Sequence, residues 1–291
     1  MVRFERIAML LVALVVQGCW AFVPVVPEGR SVEYTNSGHL RGASRLEDRG
    51  PGYRRARPGE ATAFGTPAMV GLVERSAALV AREYPGTIPL VVGDLSYERG
   101  GAHPRHGSHR SGRDVDVIFY AVDAEGRPVP GRGWTAYDRS GAPLRGRDTG
   151  ASVFFDDARN WRFVQALVMD ESAPVQWIFV SRGLKARLLR HAIAVGAPAE
   201  AIARASLVLQ QPQSSSPHDD HFHVRIYCDP AEGSLGCRDR APHWPWHRRT
   251  LRESRGANEH LTHAAELTDG VLLGELLGDE PVAQHGVEQQ L

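Results

Sequence analysis

Apolar residues recur at helical spacing behind Thr66-Pro67: Met69, Leu72, Val73, Ala77, Val80 and Ala81 predict a helix that Pro85-Gly86 ends. The run 88–94 then reads as a buried strand, with Pro89 near its start, where proline is tolerated. Residues 114–120 alternate polar and apolar at their start, the pattern of a strand with one face turned to solvent or a site. A Gly- and Arg-rich stretch, 126–150, predicts a long loop or hairpin over the surface. Trp161, Val164, Leu167 and Val168 mark a helix over 157–169, followed by a strand at 175–180 and a helix at 184–195. The polar segment 210–217 delivers a last strand, 221–227. Residues 22–60 are rich in Pro, Gly, Arg and Ser with weak periodicity. They read as a linker and N-terminal extension, partly a tether, with regular structure beginning near Thr66. Beyond Trp246 the chain turns polar, apart from an apolar stretch at 271–277 that suits either a disordered tail or a peripheral helix.

These elements alternate without a regular βαβ rhythm, and no GxGxxG follows a strand. The expected fold is therefore α+β: one domain, 61–245, around a small, mainly antiparallel sheet with flanking helices and long loops. The 34 basic and 34 acidic side chains balance, so charge gives no reason to expect nucleic acid or an anionic membrane as partner. Lys185 is the only lysine, a bias toward arginine that carries no function. At the N-terminus, Arg3 and Arg6 flank an apolar run at 7–16, the layout of a signal peptide over 1–21. That run is shorter than the ~20 residues of a membrane span. Val16-Gln17-Gly18-Cys19 resembles a lipobox, which makes Cys19 a lipid-bearing residue and its acyl chains the membrane attachment. Glu5 and Gln17 depart from the usual pattern; cleavage near Ala21 and an uncleaved anchor are the alternatives. Either way, export is expected. Cys228 and Cys237 then flank a turn-rich segment that can close a small disulfide loop in an oxidising compartment.

Six of thirteen histidines crowd into two windows: His103, His106 and His109 before Asp114-Val-Asp116, and His218, His221 and His223. Imidazole and carboxylate together suit Zn²⁺. Alternation puts His221 and His223 on one strand face, with Phe222, Val224 and Ile226 toward the core. It likewise puts Asp114 and Asp116 opposite Val115 and Val117. A hydrolytic zinc keeps three protein ligands, so some of these groups must support or carry protons. Spacing alone does not sort them. No GxSxG is present, and Ser108 has only neighbouring histidines to suggest a serine hydrolase. Trp134 and Tyr137 can line a groove or simply pack. His243 and His247, set among Pro242, Trp244, Pro245 and Trp246, read as a packed aromatic–proline segment.

Taken together, Gly93-Asp94-Leu95-Ser96…Gly100-Gly101, His106-Gly-Ser-His109-Arg-Ser-Gly-Arg-Asp-Val-Asp116 and His218-Asp-Asp-His221-Phe-His223-Val-Arg225 resemble the penicillin-insensitive murein endopeptidases. These belong to the lysostaphin and D-Ala-D-Ala metallopeptidase group, whose shared pattern is H-x₆-D with a later H-x-H. The likeness runs from about residue 33 to about 240. It implies His109, Asp116 and His223 as zinc ligands and His221 as the catalytic histidine. His218 and His106 would assist, and Asp94 and Asp114 would support the site from behind. His103 has no counterpart and reads as a solvated loop residue. Arg113 replaces an expected apolar residue, and the family's further cysteines are missing. The resemblance also implies an enzyme that cleaves D-alanyl–meso-diaminopimelyl cross-links of peptidoglycan, and the signal segment with its lipobox-like Cys19 adds the expectation of a periplasmic, outer-membrane lipoprotein; no obligatory protein partner is evident. A D-alanyl-D-alanine carboxypeptidase and a non-catalytic zinc-binding wall module are the alternatives.

Overall fold

A computed structural model describes residues 29–130, 133–144, 153–213 and 215–247. The signal segment with Cys19 and the tail beyond 247, including 271–277, lie outside the described residues. Among the described residues no helix is long and apolar enough to cross a membrane.

Helix α1 (Pro67–Glu83) starts where the sequence places it. Thr66 accepts the Met69 N–H at its N-cap, and Pro67 occupies the first turn, where a missing N–H costs nothing. Leu72, Val73, Ala77 and Val80 are fully buried on its inner face. Helices α2 (Asp157–Val168) and α3 (Arg182–Ala194) are capped by Asp156 and Ser181. Helix α4 (Ala199–Val208) was not expected. It begins at Pro198 without a side-chain cap, and its alanine-rich face gives a weak periodic signal.

A seven-stranded mixed sheet organises the domain. In spatial order its strands are Leu209–Gln210, Val175–Phe179, His221–Ile226, Asp114–Ile118, Leu90–Val92, Tyr53–Arg55 and Arg49–Gly50. Four of the six pairings are antiparallel; the outer pairs 175–179/209–210 and 53–55/90–92 are parallel. The architecture is a single α+β domain around this sheet. Phe222, Val224, Ile226, Val115, Val117 and Ile178 join the helices' apolar residues in one core. The other face of the central strands is left for polar chemistry.

The N-terminal stretch departs from its reading as extension. Residues 30–65 contain short strands, and two of them extend the main sheet. Strands of two or three residues are too brief to show a period. This segment also clamps the loop after residue 96: Leu40 N–H donates to the Arg99 carbonyl, and Arg110 N–H to the Thr35 carbonyl. Within 126–150, the hairpin reading fits the described part: Ala121–Val122 pairs with Pro128–Val129 on one side and Phe154–Phe155 on the other. Cys228 and Cys237 form a disulfide around a short 3₁₀ turn.

Candidate metal centre

The two central strands run antiparallel with His223 opposite Asp116 and Arg225 opposite Asp114. Cross-strand partners point to one face. Imidazoles from one strand therefore meet carboxylates from the other on the face away from the core.

Asp116 is the focus. Its carboxylate is fully buried, and its Oδ1 lies 3.2 Å from His109 Nε2, 3.3 Å from His223 Nδ1 and 3.6 Å from His221 Nε2. His109 Nε2 and His223 Nδ1 are 3.4 Å apart. Despite these short approaches, neither Asp116 oxygen accepts a properly directed hydrogen bond.

The far nitrogen of each ring explains why. His109 donates Nδ1–H to the Leu95 carbonyl at 3.2 Å. His223 donates Nε2–H to Asp114 Oδ1 at 3.0 Å. His221 donates Nδ1–H to Asp220 Oδ1 at 2.5 Å. An imidazole whose far nitrogen donates presents a lone pair at the other. Three such lone pairs converge on a buried carboxylate, a donor set that fits a divalent cation and repels itself without positive charge. Burial alone would lower the pKa of His221 and His223, but neighbouring carboxylates raise both: Asp116 and Asp220 for His221, Asp114 and Asp116 for His223. Burial alone would raise Asp116; His109 and His221 hold it well below the usual carboxylate range.

The Gly93-Asp94-Leu95-Ser96 element is the scaffold behind the cluster. Gly93 N–H donates to the Asp116 carbonyl, and a Cβ at Gly93 would come within 2.9 Å of Trp134 and 3.2 Å of the Asp116 Cβ. Asp94 accepts hydrogen bonds from Thr62, Arg57, Arg105 and His106. Burial would push its pKa up, yet His106, Arg105, Thr62 and Arg57 hold it well below the ordinary value. Leu95 supplies the carbonyl for His109, and Ser96 Oγ accepts Gly112 N–H, closing the histidine loop. Asp114 holds both windows at once: Oδ2 accepts the His109 backbone N–H, and Oδ1 accepts His223 Nε2–H and Arg225 Nε–H.

Two overlapping triads, Asp94/His103/His106 and His106/His109/Asp116, also have ligand atoms within 4.8 Å of one another. His106 Nε2 sits 3.0 Å from Asp94 Oδ2 and bonds it, so its N–H is engaged by that carboxylate rather than its lone pair offered, and it approaches Asp116 Oδ2 only to 3.4 Å. Asp94 already carries two guanidinium partners, which oppose a second cation beside it. In the His109/Asp116/His223 triangle every separation is 3.4 Å or less and both imidazoles present free lone pairs. His103 is buried against His106, with its Nδ1 accepting the Arg105 N–H, and is not the solvated loop residue its sequence context suggests. His218 donates Nδ1–H to the Ser216 carbonyl and packs 4.8 Å from His221. Burial first, then His223 and His221, lowers its pKa to about 4. His109 and His218 both have positive φ, 61° and 53°, a backbone cost that non-glycine residues bear mainly at functional sites.

Sequence reasoning gave no role to Asp220, although it precedes His221 directly; adjacency alone does not show that a side chain folds back onto its neighbour's ring. Trp134 stands edge-on to His221 at 4.8 Å with Arg57 over its face, so it borders the site, whereas Tyr137 is buried against Phe119 and Phe155. His243 and His247 stack with Tyr227 in the packed segment expected of them.

The profile of the penicillin-insensitive murein endopeptidase family matches residues 31–249. The chain belongs to this family. That match makes it a hydrolase acting on peptidoglycan, and its span takes in the N-terminal strands that clamp the histidine loop. No curated protein matches the chain. The arginine that departs from the expected family pattern, Arg113, is nearly fully buried. It bonds Ser31, Asp239 and the carbonyls of Glu33, Ile226 and Arg238, tying the N-terminal hairpin and the disulfide loop to the strand that carries Asp116.

Proposed function

We propose that the chain is a zinc metallopeptidase that hydrolyses D-alanyl–meso-diaminopimelyl cross-links of peptidoglycan. The observation that carries this reading is the buried Asp116 carboxylate, faced by imidazole lone pairs and lacking any hydrogen bond, in a murein endopeptidase. His109 Nε2, His223 Nδ1 and Asp116 would hold the metal, three ligands with room left for water. A bound zinc supplies Lewis acidity, which lowers the pKa of water and polarises the scissile carbonyl.

The chain's own groups handle the protons. His221 Nε2 takes a proton from the attacking water, and Asp220, bonded to Nδ1–H, fixes the tautomer and stabilises the imidazolium that forms. The His221 imidazolium then returns that proton to the departing amine, with His218, kept as the neutral Nδ1–H tautomer, beside it to relay the proton through its free Nε2. His106, held by its bond to Asp94, stays 3.4 Å from Asp116 Oδ2 and assists from beside the carboxylate. Attack by water needs no serine acyl-enzyme, which accounts for insensitivity to β-lactams. The protein would act in the periplasm, attached to the outer membrane through lipid on Cys19.

Metal analysis with a murein digest tests the reading. One zinc per chain and conversion of cross-linked dimers to monomers, followed by mass spectrometry, are expected. Release of D-alanine alone would sink the endopeptidase assignment in favour of a carboxypeptidase. His221→Ala should keep zinc and lose digestion; unchanged digestion contradicts its role. Palmitate should label the wild type and not Cys19→Ala.

A further inference from the structure

Four arginines, Arg113, Arg225, Arg238 and Arg240, border a small cleft beside the candidate metal centre. Arg225 stands two residues past His223 on the same strand face, roughly 7 Å along the strand. The two side chains share an acceptor, because Asp114 Oδ1 takes both His223 Nε2–H and Arg225 Nε–H. That bond, with the Phe179 ring under the guanidinium, fixes its orientation. Its two Nη groups have no hydrogen bond among the described residues and keep solvent contact, although the side chain is only 17% exposed. The other charges around the cleft are committed. Arg113 bonds Ser31, Asp239 and three carbonyls. Asp239, the one carboxylate among the described residues lining the cleft, accepts from Arg113 and from the Cys228 N–H. Arg238 faces Glu33 at 3.6 Å, and Arg240 lies over the Tyr34 ring. The Nη edge of Arg225 is thus open to a ligand within a strongly positive lining.

We infer that this cleft holds the free carboxylate on the leaving side of the scissile amide, an inference that rests on the proposed cleavage of diaminopimelyl cross-links. In such a cross-link the scissile nitrogen is attached to a carbon that itself bears a free carboxylate. With the scissile carbonyl over His223, that carboxylate lies within one residue's length, where Arg225 stands. A carboxylate meets the paired Nη–H groups of a guanidinium through two parallel charge-assisted hydrogen bonds, which a neutral carboxamide cannot match. The cleft offers about 30 Å³ of free space, room for a small planar group and not for a sugar ring. The consequence is discrimination: cross-links whose diaminopimelyl carboxylate is amidated become poor substrates.

The test compares zinc-loaded wild type on two cross-linked peptide dimers, one with the carboxylate beside the scissile amide free and one with it amidated. Amidation should raise KM about 10- to 100-fold and leave kcat nearly unchanged, the loss of a charge-assisted pair already made in the bound substrate. Calorimetric binding of the acceptor-side product, with the same carboxylate free or amidated, should show the same preference without turnover. Arg225→Gln should erase it, bringing the ratio of the two affinities to about one. The wild-type comparison stands whether or not that variant folds. Equal KM values or equal product affinities in wild type, or a full preference kept by folded Arg225→Gln, overturn the inference. If neither dimer is cut while the free-acid product still binds more tightly, the catalytic reading fails and the carboxylate cleft stands.

Discussion

Each site histidine is aimed by the group behind it, so the sharpest tests at the residue scale remove that group. Asp220→Asn should lower turnover by about 10- to 100-fold, the usual effect of losing such a partner, while zinc content stays near one per chain. Asp116→Asn should abolish stoichiometric zinc, read by metal analysis after dialysis. A third test lies away from the centre, at Glu232 inside the disulfide loop. Burial raises its pKa from 4.5 to about 7, although its carboxylate accepts the Ser31 N–H. Because the folded value is raised, the folded state favours the protonated acid. The associated stability is full below about pH 4.5 and is lost as pH rises through 7. Glu232→Gln should therefore stabilise the protein above pH 7, by about 1–3 kcal/mol in denaturant unfolding, and change little near pH 4. Alternation along two strands made the shared face of His221, His223, Asp114 and Asp116 legible in the sequence. The acceptors that fix the His109 and His221 tautomers were not, since Leu95 acts through its backbone and Asp220 through its side-chain rotamer.

At the scale of elements, strong periodicity and capping chemistry predicted α1, α2 and α3, whereas the N-terminal strands and α4 escaped notice. Short strands acquire their hydrogen bonds from distant neighbours, so little in their local pattern announces them. Thr66→Ala should cost about 1 kcal/mol through the lost N-cap of α1 and lower the melting temperature by a few degrees. Gly93→Ala acts differently. Its new Cβ presses on Trp134 and Asp116, so reduced zinc affinity is the expected outcome, measured by competition with a chromogenic chelator. The four residues Gly93 to Ser96 show why this motif needs its particular composition: Gly93 allows close approach to Asp116, Asp94 anchors Arg105 and His106, the Leu95 carbonyl holds His109, and the Ser96 hydroxyl accepts the Gly112 N–H.

For the whole molecule, Arg113 links segments far apart in sequence, and the metal would link the two histidine windows. Arg113→Met should destabilise the fold by about 3–5 kcal/mol, because Asp239 and several carbonyls lose a buried partner; chemical denaturation reads this directly. Chelation should lower the melting temperature, and zinc should restore it, since the ligands come from both windows and binding stabilises only the folded arrangement. The sequence by itself determined the α+β class, the polar face of the two central strands, the disulfide pair and the density of metal-friendly groups. These follow from local alternation and residue chemistry. Only the tertiary structure decided which imidazole nitrogen faces Asp116, that Arg113 is a buried tie, and that residues 30–65 grip the histidine loop. Those outcomes depend on contacts between residues many positions apart, and no local period encodes them.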